Sequence, residues 1–219
     1  MRQYAQDYVD QLKGMLDAID PKDVERVTNT LLDAYKNDKQ VFIMGNGGSA
    51  SAASHMACDL GKGTVVPGKR RFRVISLNDN MAVFSAIAND FGYDNVFLEQ
   101  IKNVVNPGDV VLGISASGNS PNVVSAMKYA NQNGAITVAI VGFTGGEMKT
   151  HADISIHLQS GQYGPVEDGH MILNHMITTF LKKKFEVDHK IAMADLAKSQ
   201  ELSPRSSGSD LLTSTTVYR

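Results

Sequence analysis

The chain lacks the features that mark several protein classes. Its 219 residues contain one cysteine, Cys58, which excludes an intrachain disulfide. No apolar run approaches the ~20 residues of a membrane span, and the N-terminal "MRQYAQDYVDQ" carries acids, unlike a signal peptide. A formal net charge of -2 gives no support for a nucleic-acid partner. With 42% hydrophobic residues, we expect a globular cytoplasmic protein that binds neither membrane nor nucleic acid.

The spacing of apolar residues predicts an α/β fold. An amphipathic helix is indicated by apolar residues three and four apart, namely Tyr4, Tyr8, Leu12, Met15, Leu16 and Ile19. Asp20 and Pro21 then provide an N-cap and a first helical residue for a second helix. Five short apolar runs follow, each before a helical pattern: "QVFIM", "FRVISL", "DVVLGIS", "ITVAIVG" and "ADISIHL". This alternation predicts a three-layer α/β/α sandwich around a five-stranded parallel sheet.

The domain organisation follows from the same pattern. We expect one domain over residues 1–187, including the N-terminal helical pair, and a helical extension with a polar tail over 188–219. The apolar stripe from Tyr4 to Ile19 has no evident use on a compact five-strand domain. It therefore favours a homo-oligomer with the N-terminal helices in the interface.

Two loops follow predicted strands and could hold a phosphate. In "MGNGGSASAASH" (Met44 to His55), glycines stand between a strand and a helix. They let the backbone approach a ligand, and the helix N-terminus offers unpaired N–H groups. The second loop, "SASGNSPN" (Ser115 to Asn122), supplies three hydroxyls and a proline that can start a helix. Hydroxyls and amides together can bind a phosphate monoester, although either loop alone could be an ordinary tight turn.

The absence of lysine from these loops narrows the ligand class. A nucleotide-binding P-loop requires G-x-x-x-x-G-K-[ST], and neither loop matches it. The dinucleotide pattern G-x-G-x-x-G also fails, because Ala50 stands where its third glycine would be. A site of hydroxyls and amides suits a small sugar phosphate better than a nucleotide.

The same strings carry a family resemblance. "GNGGSA" with a following histidine, "GISASGNSPN" and "ANDFGYD" resemble the sugar isomerase (SIS) domain, and within it the sedoheptulose 7-phosphate isomerases. The resemblance runs from about residue 3 to residue 183. It implies a flavodoxin-like sandwich, a homotetramer with active sites at subunit junctions, and conversion of sedoheptulose 7-phosphate to a heptose 7-phosphate.

The resemblance also implies site residues. It assigns phosphate binding to the serines of the two loops and substrate contacts to nearby polar residues: Ser49, Ser115, Ser117 and Ser120, with Asn46, Gly47, Asp90 and Asn119. It assigns catalysis and a zinc or other divalent ion to His55, Asp59, Glu167 and His175. Two of these four depart from the family pattern, because Asp59 replaces a glutamate and Glu167 replaces a glutamine. These departures bear on the substrate more than on the fold.

The spacing of the four residues limits how they can meet. His55 and Asp59 are four apart and share a helix face. Glu167 and His175 are eight apart, about 12 Å along a continuous helix, so they bind one ion only if their side chains converge or if Glu167 precedes the helix. Two imidazoles and two carboxylates suit zinc. Isomerisation through an enediol needs a base, either Asp59 or Glu167, and an acid, His175. In the simpler alternative, His175 is a core histidine and Asp59 a solvated helix residue.

Three other functions remain open at this point. The chain could isomerise a different sugar phosphate, act as a non-catalytic SIS protein that binds a protein partner, or sense a sugar phosphate as a regulatory domain. Non-catalytic members lose the acid on the first helix of the domain and the late histidine. Because Asp59 and His175 are present, the sequence favours an enzyme.

Overall fold

The computed structural model describes residues 1–202, and the tail predicted at 203–219 lies outside this part of the chain. Its helices are α1 (Arg2–Asp17), α2 (Pro21–Lys36), α3 (Gly48–Cys58), α4 (Met81–Phe91), α5 (Leu98–Lys102), α6 (Pro121–Gln132), α7 (Gly146–His151) and α8 (Tyr163–Leu202). Its strands are β1 (Gln40–Gly45), β2 (Arg73–Ser76), β3 (Val110–Ser115), β4 (Ile136–Val141) and β5 (Ile154–His157). A π-helical turn, Asp59–Gly63, follows α3, and a short 3-10 turn, Tyr93–Asn95, follows α4. The five predicted strands and both N-terminal helices are confirmed.

The five strands form one parallel sheet in the order β2-β1-β3-β4-β5. Val41 of β1 pairs with Val74 on one side and with Val110 on the other. The strand order therefore reverses at β1, and β1 and β3 are neighbours. Ligands of such sheets bind beyond the carboxyl ends of the strands at this reversal. Both candidate phosphate loops lie there, as the flavodoxin-like expectation requires.

Alternating side chains of the central strands β1, β3 and β4 enter two separate cores, which produces the three layers. Val41 and Ile43 face the core covered by α2, α3 and α8, whereas Phe42 and Met44 face the core covered by α5, α6 and α7. A parallel strand covered on both faces needs apolar residues at consecutive positions. This requirement explains the uninterrupted apolar run of β1.

The N-terminal helices pack on their own chain. The Asp20 side chain caps α2 by accepting from the Lys22 backbone N–H at 2.9 Å. Met15 of α1 is buried in the core covered by α2, α3 and α8. The Tyr8 hydroxyl donates to Asp168 of α8 at 2.6 Å. This hydrogen bond raises the pKa of Tyr8 to about 12. The stripe that favoured an oligomer is thus used in part within the chain, although Tyr4 remains 68% exposed.

Helix α8 runs for 40 residues. It passes without interruption through the boundary predicted between residues 187 and 188, so the predicted extension begins inside the helix that also covers the core. Around and beyond that boundary several apolar side chains are exposed, among them Val187 and Ile191. Among the described helices, α8 included, none is both long and apolar enough to cross a membrane.

Candidate active site

A cavity of about 270 Å³ lies where the two phosphate loops meet, and we name it the serine cavity. Its lining comes from the loop after β1, the loop after β3 and the first turns of α8: Asn46, Gly47, Gly48, Ser49, Ser115, Ala116, Ser117, Ser120, Tyr163 and Glu167. All four serines that the sequence assigned to phosphate line this one cavity. The structure therefore brings the predicted phosphate group together.

Two glycines of the first loop differ in what surrounds them. Gly47, the N-cap of α3, has φ +55°, a conformation that side chains rarely adopt. A Cβ atom at Gly48 would overlap the carboxylate of Glu167. Ser49 follows in the first turn of α3 and is buried. The start of α3, where the first backbone N–H groups have no partner within the helix, thus lines the cavity.

The second loop is organised by its own hydroxyls. Ser115 Oγ accepts from the Gly118 N–H at 3.1 Å and lies 3.2 Å from Ser120 Oγ. Ser117 Oγ accepts from the Asn119 N–H at 3.2 Å. Pro121 begins α6 directly after this loop. The hydroxyls are consequently held close together before any ligand is bound.

Asn46 is fixed by amide and phenol contacts. Its side chain exchanges two hydrogen bonds with Asn122, at 2.9 and 3.0 Å, and its Oδ1 accepts from the Tyr93 hydroxyl at 2.8 Å. The remaining two predicted substrate residues lie apart from this arrangement. Asp90 is on α4 and accepts from Asn89, while Asn119 caps α7 by accepting from the Glu147 N–H at 2.9 Å.

A second group of polar residues, the His–Asp cluster, consists of His55, Asp59 and His175. Asp59 Oδ2 lies 3.3 Å from His55 Nε2 and 3.9 Å from His175 Nε2, and the two imidazole nitrogens are 3.5 Å apart. Asp59 is the first residue of the π-helical turn after α3. Such turns occur often at functional sites. The predicted pairing of His55 with Asp59 on one helix face is confirmed.

Among the described residues, Glu167 lies apart from the His–Asp cluster. The sequence predicted that it meets one ion with the other three residues only if its side chain converges with that of His175 or if it precedes the helix, but α8 already begins at Tyr163. Glu167 is therefore about 12 Å along α8 from His175. Its carboxylate lies instead over Gly48 in the serine cavity. The expected four-residue set is corrected to a three-residue cluster and a separate carboxylate.

The His–Asp cluster has the donor set of a divalent-metal site. One ligand atom from each of the three residues lies within 4.8 Å of the others. Two imidazole nitrogens and a carboxylate oxygen are ligands that zinc prefers, and catalytic zinc sites commonly combine three protein ligands with one open position. The residues present therefore fit such an ion.

Two buried polar residues of α8 complete this region. Asn174 Nδ2 donates to Asp59 Oδ2 at 2.9 Å, a contact that was not predicted from the sequence. His170, one turn earlier, is 1% exposed, and burial lowers the pKa of its imidazole to about 4. Both residues interrupt an otherwise apolar series that includes Val166, Leu173 and Ile177. Polar residues at core positions were the signal that could have identified Asn174.

Comparison with known proteins gives a consistent assignment. A family model described as SIS domain matches residues 3–142. The phosphoheptose isomerase of Citrifermentans bemidjiense is 34% identical over 167 residues, 76% of this chain and 86% of that protein. The probable phosphoheptose isomerase of Thermoplasma acidophilum is 35% identical over 73% of this chain and 87% of that protein. The structure of phosphoheptose isomerase GmhA from Neisseria gonorrhoeae has a TM-score of 0.76 at 24% identity, covering 83% of this chain and 96% of that one.

Proposed function

Because the chain belongs to the SIS domain family, and within it to the phosphoheptose isomerases, we propose that it isomerises sedoheptulose 7-phosphate to a heptose 7-phosphate through an enediol. The observation that carries this proposal is the presence of two chemically different groups on the same pair of helices. The serine cavity lies at the beginning of α3 and α8, and the His–Asp cluster lies further along both helices.

The separation of the two groups suits a seven-carbon substrate. Glu167 lines the serine cavity, and His175 belongs to the His–Asp cluster. These two residues are about 12 Å apart along α8. From the phosphorus to C1, an extended heptose 7-phosphate spans roughly 10 Å at about 1.2 Å per bond. A phosphate held by the serines would therefore place C1 and C2 near Asp59.

Phosphate binding relies on neutral donors. The backbone N–H groups at the start of α3 face the cavity, and the hydroxyls of Ser49, Ser115, Ser117 and Ser120 line it. Hydrogen bonds from such donors to a charged oxygen are stronger than those between neutral groups. Asn46, held by Asn122 and Tyr93, lies at the edge of this cavity and is positioned to contact the sugar.

Proton transfer is assigned to the His–Asp cluster. Asp59 serves as the base that moves a proton between C1 and C2, and His175 serves as the acid for the sugar oxygens. We assign the base to Asp59 rather than Glu167 because, of these two carboxylates, Asp59 is the one that lies beside both imidazoles. His55 is 3.3 Å from the Asp59 carboxylate and limits its orientations.

A divalent ion would be held by His55, Asp59 and His175. When bound, such an ion supplies a Lewis acid that polarises the sugar carbonyl. The three side chains hold their ligand atoms close together without it, so the cluster is prepared for both proton transfer and metal binding.

A second subunit would complete the site. The side chains of His55 and His175 are 47% and 56% exposed, so the cluster faces solvent on one side. Proton transfer at carbon is favoured when water is excluded. We therefore propose that the enzyme is a cytoplasmic homo-oligomer, most simply a tetramer, in which a neighbouring chain covers this side.

A coupled isomerase assay over a panel of ketose phosphates tests the proposal, with and without a chelator. We expect turnover of sedoheptulose 7-phosphate, strongly reduced in the Asp59→Asn variant. Turnover of a different ketose phosphate alone would reassign the substrate. No turnover across the panel, with the protein folded and supplied with zinc, would remove the enzymatic assignment and favour a binding protein.

A further inference from the structure

Asn174 is a buried polar residue whose side-chain amide points at the proposed base. Its side chain lies on α8 between Leu173 and His175 and is 1% exposed. Its Nδ2 donates to Asp59 Oδ2 at 2.9 Å. Asparagine is uncommon at buried helix positions, since its amide needs hydrogen-bond partners. The residues four before and four after it on α8, His170 and Thr178, are also buried and polar.

Three groups surround the same oxygen of Asp59, and they differ in how firmly they are held. His55 and His175 are about half exposed and lie at 3.3 and 3.9 Å. Asn174 is closer and lies within the packed contact between α3 and α8. A side chain in a close-packed interior is confined to few rotamers. Of these three contacts, the one from Asn174 is therefore the most rigid.

The orientation of the Asn174 amide follows from the chemistry of its partner. An ionised carboxylate only accepts hydrogen bonds, so the NH₂ group must face Asp59 and the amide oxygen must face inward. Within residues 1–202 that Oδ1 atom finds no hydrogen-bond donor. Leucine has the same branching at Cγ and would leave no buried oxygen unpaired. Packing therefore does not account for asparagine at this position, whereas the contact with Asp59 does.

We infer that Asn174 is a positioning residue that fixes the Asp59 carboxylate for proton transfer. The inference rests on the proposed function. An aspartate side chain is one methylene shorter than a glutamate and reaches less far from α3 and the turn that follows it. The Asn174 amide on α8 holds Asp59 Oδ2 at the contact between the two helices. This hydrogen bond fixes the orientation of the carboxylate plane. The residue acts on Asp59 and does not line the serine cavity.

The Asn174→Leu variant tests this inference, with Asn174→Ala made in parallel because alanine cannot clash with α3. We expect kcat for sedoheptulose 7-phosphate to fall at least tenfold while KM stays within about twofold, since the phosphate contacts are untouched. The matched control is Thr28→Val. Thr28 is buried on α2 and donates to the Val24 carbonyl, so its replacement tests a buried polar deletion outside the site. The control should retain wild-type kcat.

A crystal structure of Asn174→Leu gives a readout that does not depend on turnover. We expect the Asp59 carboxylate to rotate away from His55 or to occupy more than one rotamer. An unchanged Asp59 in that structure, or a kcat within twofold of wild type in both variants, would overturn the inference. A wild-type enzyme that turns over no sugar phosphate would refute the proposed function instead, and the structure of the variant would still decide the role of Asn174.

Discussion

Removing the charge of Glu167 should strengthen binding of the substrate phosphate. The Glu167 carboxylate lies over Gly48 at the start of α3, inside the cavity lined by the four serines. Two anions in that cavity repel each other. The Glu167→Gln variant keeps the shape of the side chain, removes its charge and replaces one acceptor oxygen by an NH₂ donor. The repulsion is therefore lost, and the new donor also favours an anion.

The size of the effect follows from the cavity. A volume of about 270 Å³ corresponds to a sphere roughly 8 Å across, which places a bound phosphate about 6 Å from the carboxylate. Two unit charges at 6 Å repel by about 1.4 kcal/mol if the effective dielectric constant is about 40, between the values for a protein surface and for water. A phosphate monoester carries one to two charges. We therefore expect affinity to rise roughly 10- to 100-fold.

Calorimetry with sedoheptulose 7-phosphate and with inorganic phosphate measures this change at low and at high salt. The gain should shrink as salt is added, because salt screens the repulsion. Glu186→Gln is the control, since it removes an equal charge from the same helix about 28 Å further along. Unchanged or weaker binding in Glu167→Gln would refute the electrostatic argument. Tighter binding together with loss of turnover would move the base from Asp59 to Glu167.

Three further outcomes are expected. Ser117→Ala and Ser120→Ala should each weaken sugar-phosphate binding by about 1–3 kcal/mol in calorimetry, because each removes a hydroxyl that faces a charged ligand; unchanged affinity in both would remove this loop from the site. Asp59→Asn should abolish proton exchange at C1 and C2, followed by NMR in deuterated water, with phosphate affinity preserved. Burial lowers the pKa of His170 from 6.5 to about 4. As pH falls below 6.5, this imidazole therefore binds a proton in the unfolded chain but not in the folded chain, which lowers the free energy of unfolding. Urea unfolding should show a loss of about 2 kcal/mol between pH 7 and pH 5, and this loss should disappear in His170→Leu.

The fold could be predicted because its central strands, β1, β3 and β4, are buried on both faces. In a chain where strands and helices alternate, an apolar run such as that of β1 is typical of a parallel strand covered by helices on both sides. The start of β5 was less well defined by the pattern. The strand begins at Ile154 rather than at Ala152, since Ala152 still caps α7 and the Asp153 side chain accepts from Thr137 at 2.8 Å. These are contacts between elements, and the apolar pattern of one element does not record them.

The candidate site was predictable only in part. The two phosphate loops could be placed together because the carboxyl ends of adjacent parallel strands share one edge of a sheet. The location of Glu167 could not, since it depends on where α8 begins, and that start is fixed by contacts such as Tyr8 with Asp168. The contact of Asn174 with Asp59 depends on the crossing of α3 and α8. No local sequence pattern encodes that crossing.

The place of α8 at the end of the described chain has a consequence for the order in which the protein acquires its properties during synthesis. The strands and both phosphate loops are synthesised before any residue of α8, at about 5–20 residues per second. Asn174 lies 115 residues after Asp59 in the sequence. The two side chains can therefore meet only after α8 has packed on the core that it covers together with α2 and α3. A chain interrupted before α8 would carry the glycine and serine loops but neither Asn174 nor His175 beside Asp59, the proposed base. The serines proposed to bind the phosphate are thus encoded early in the chain. The residues of α8 proposed to act with Asp59 in proton transfer are synthesised last among the described elements.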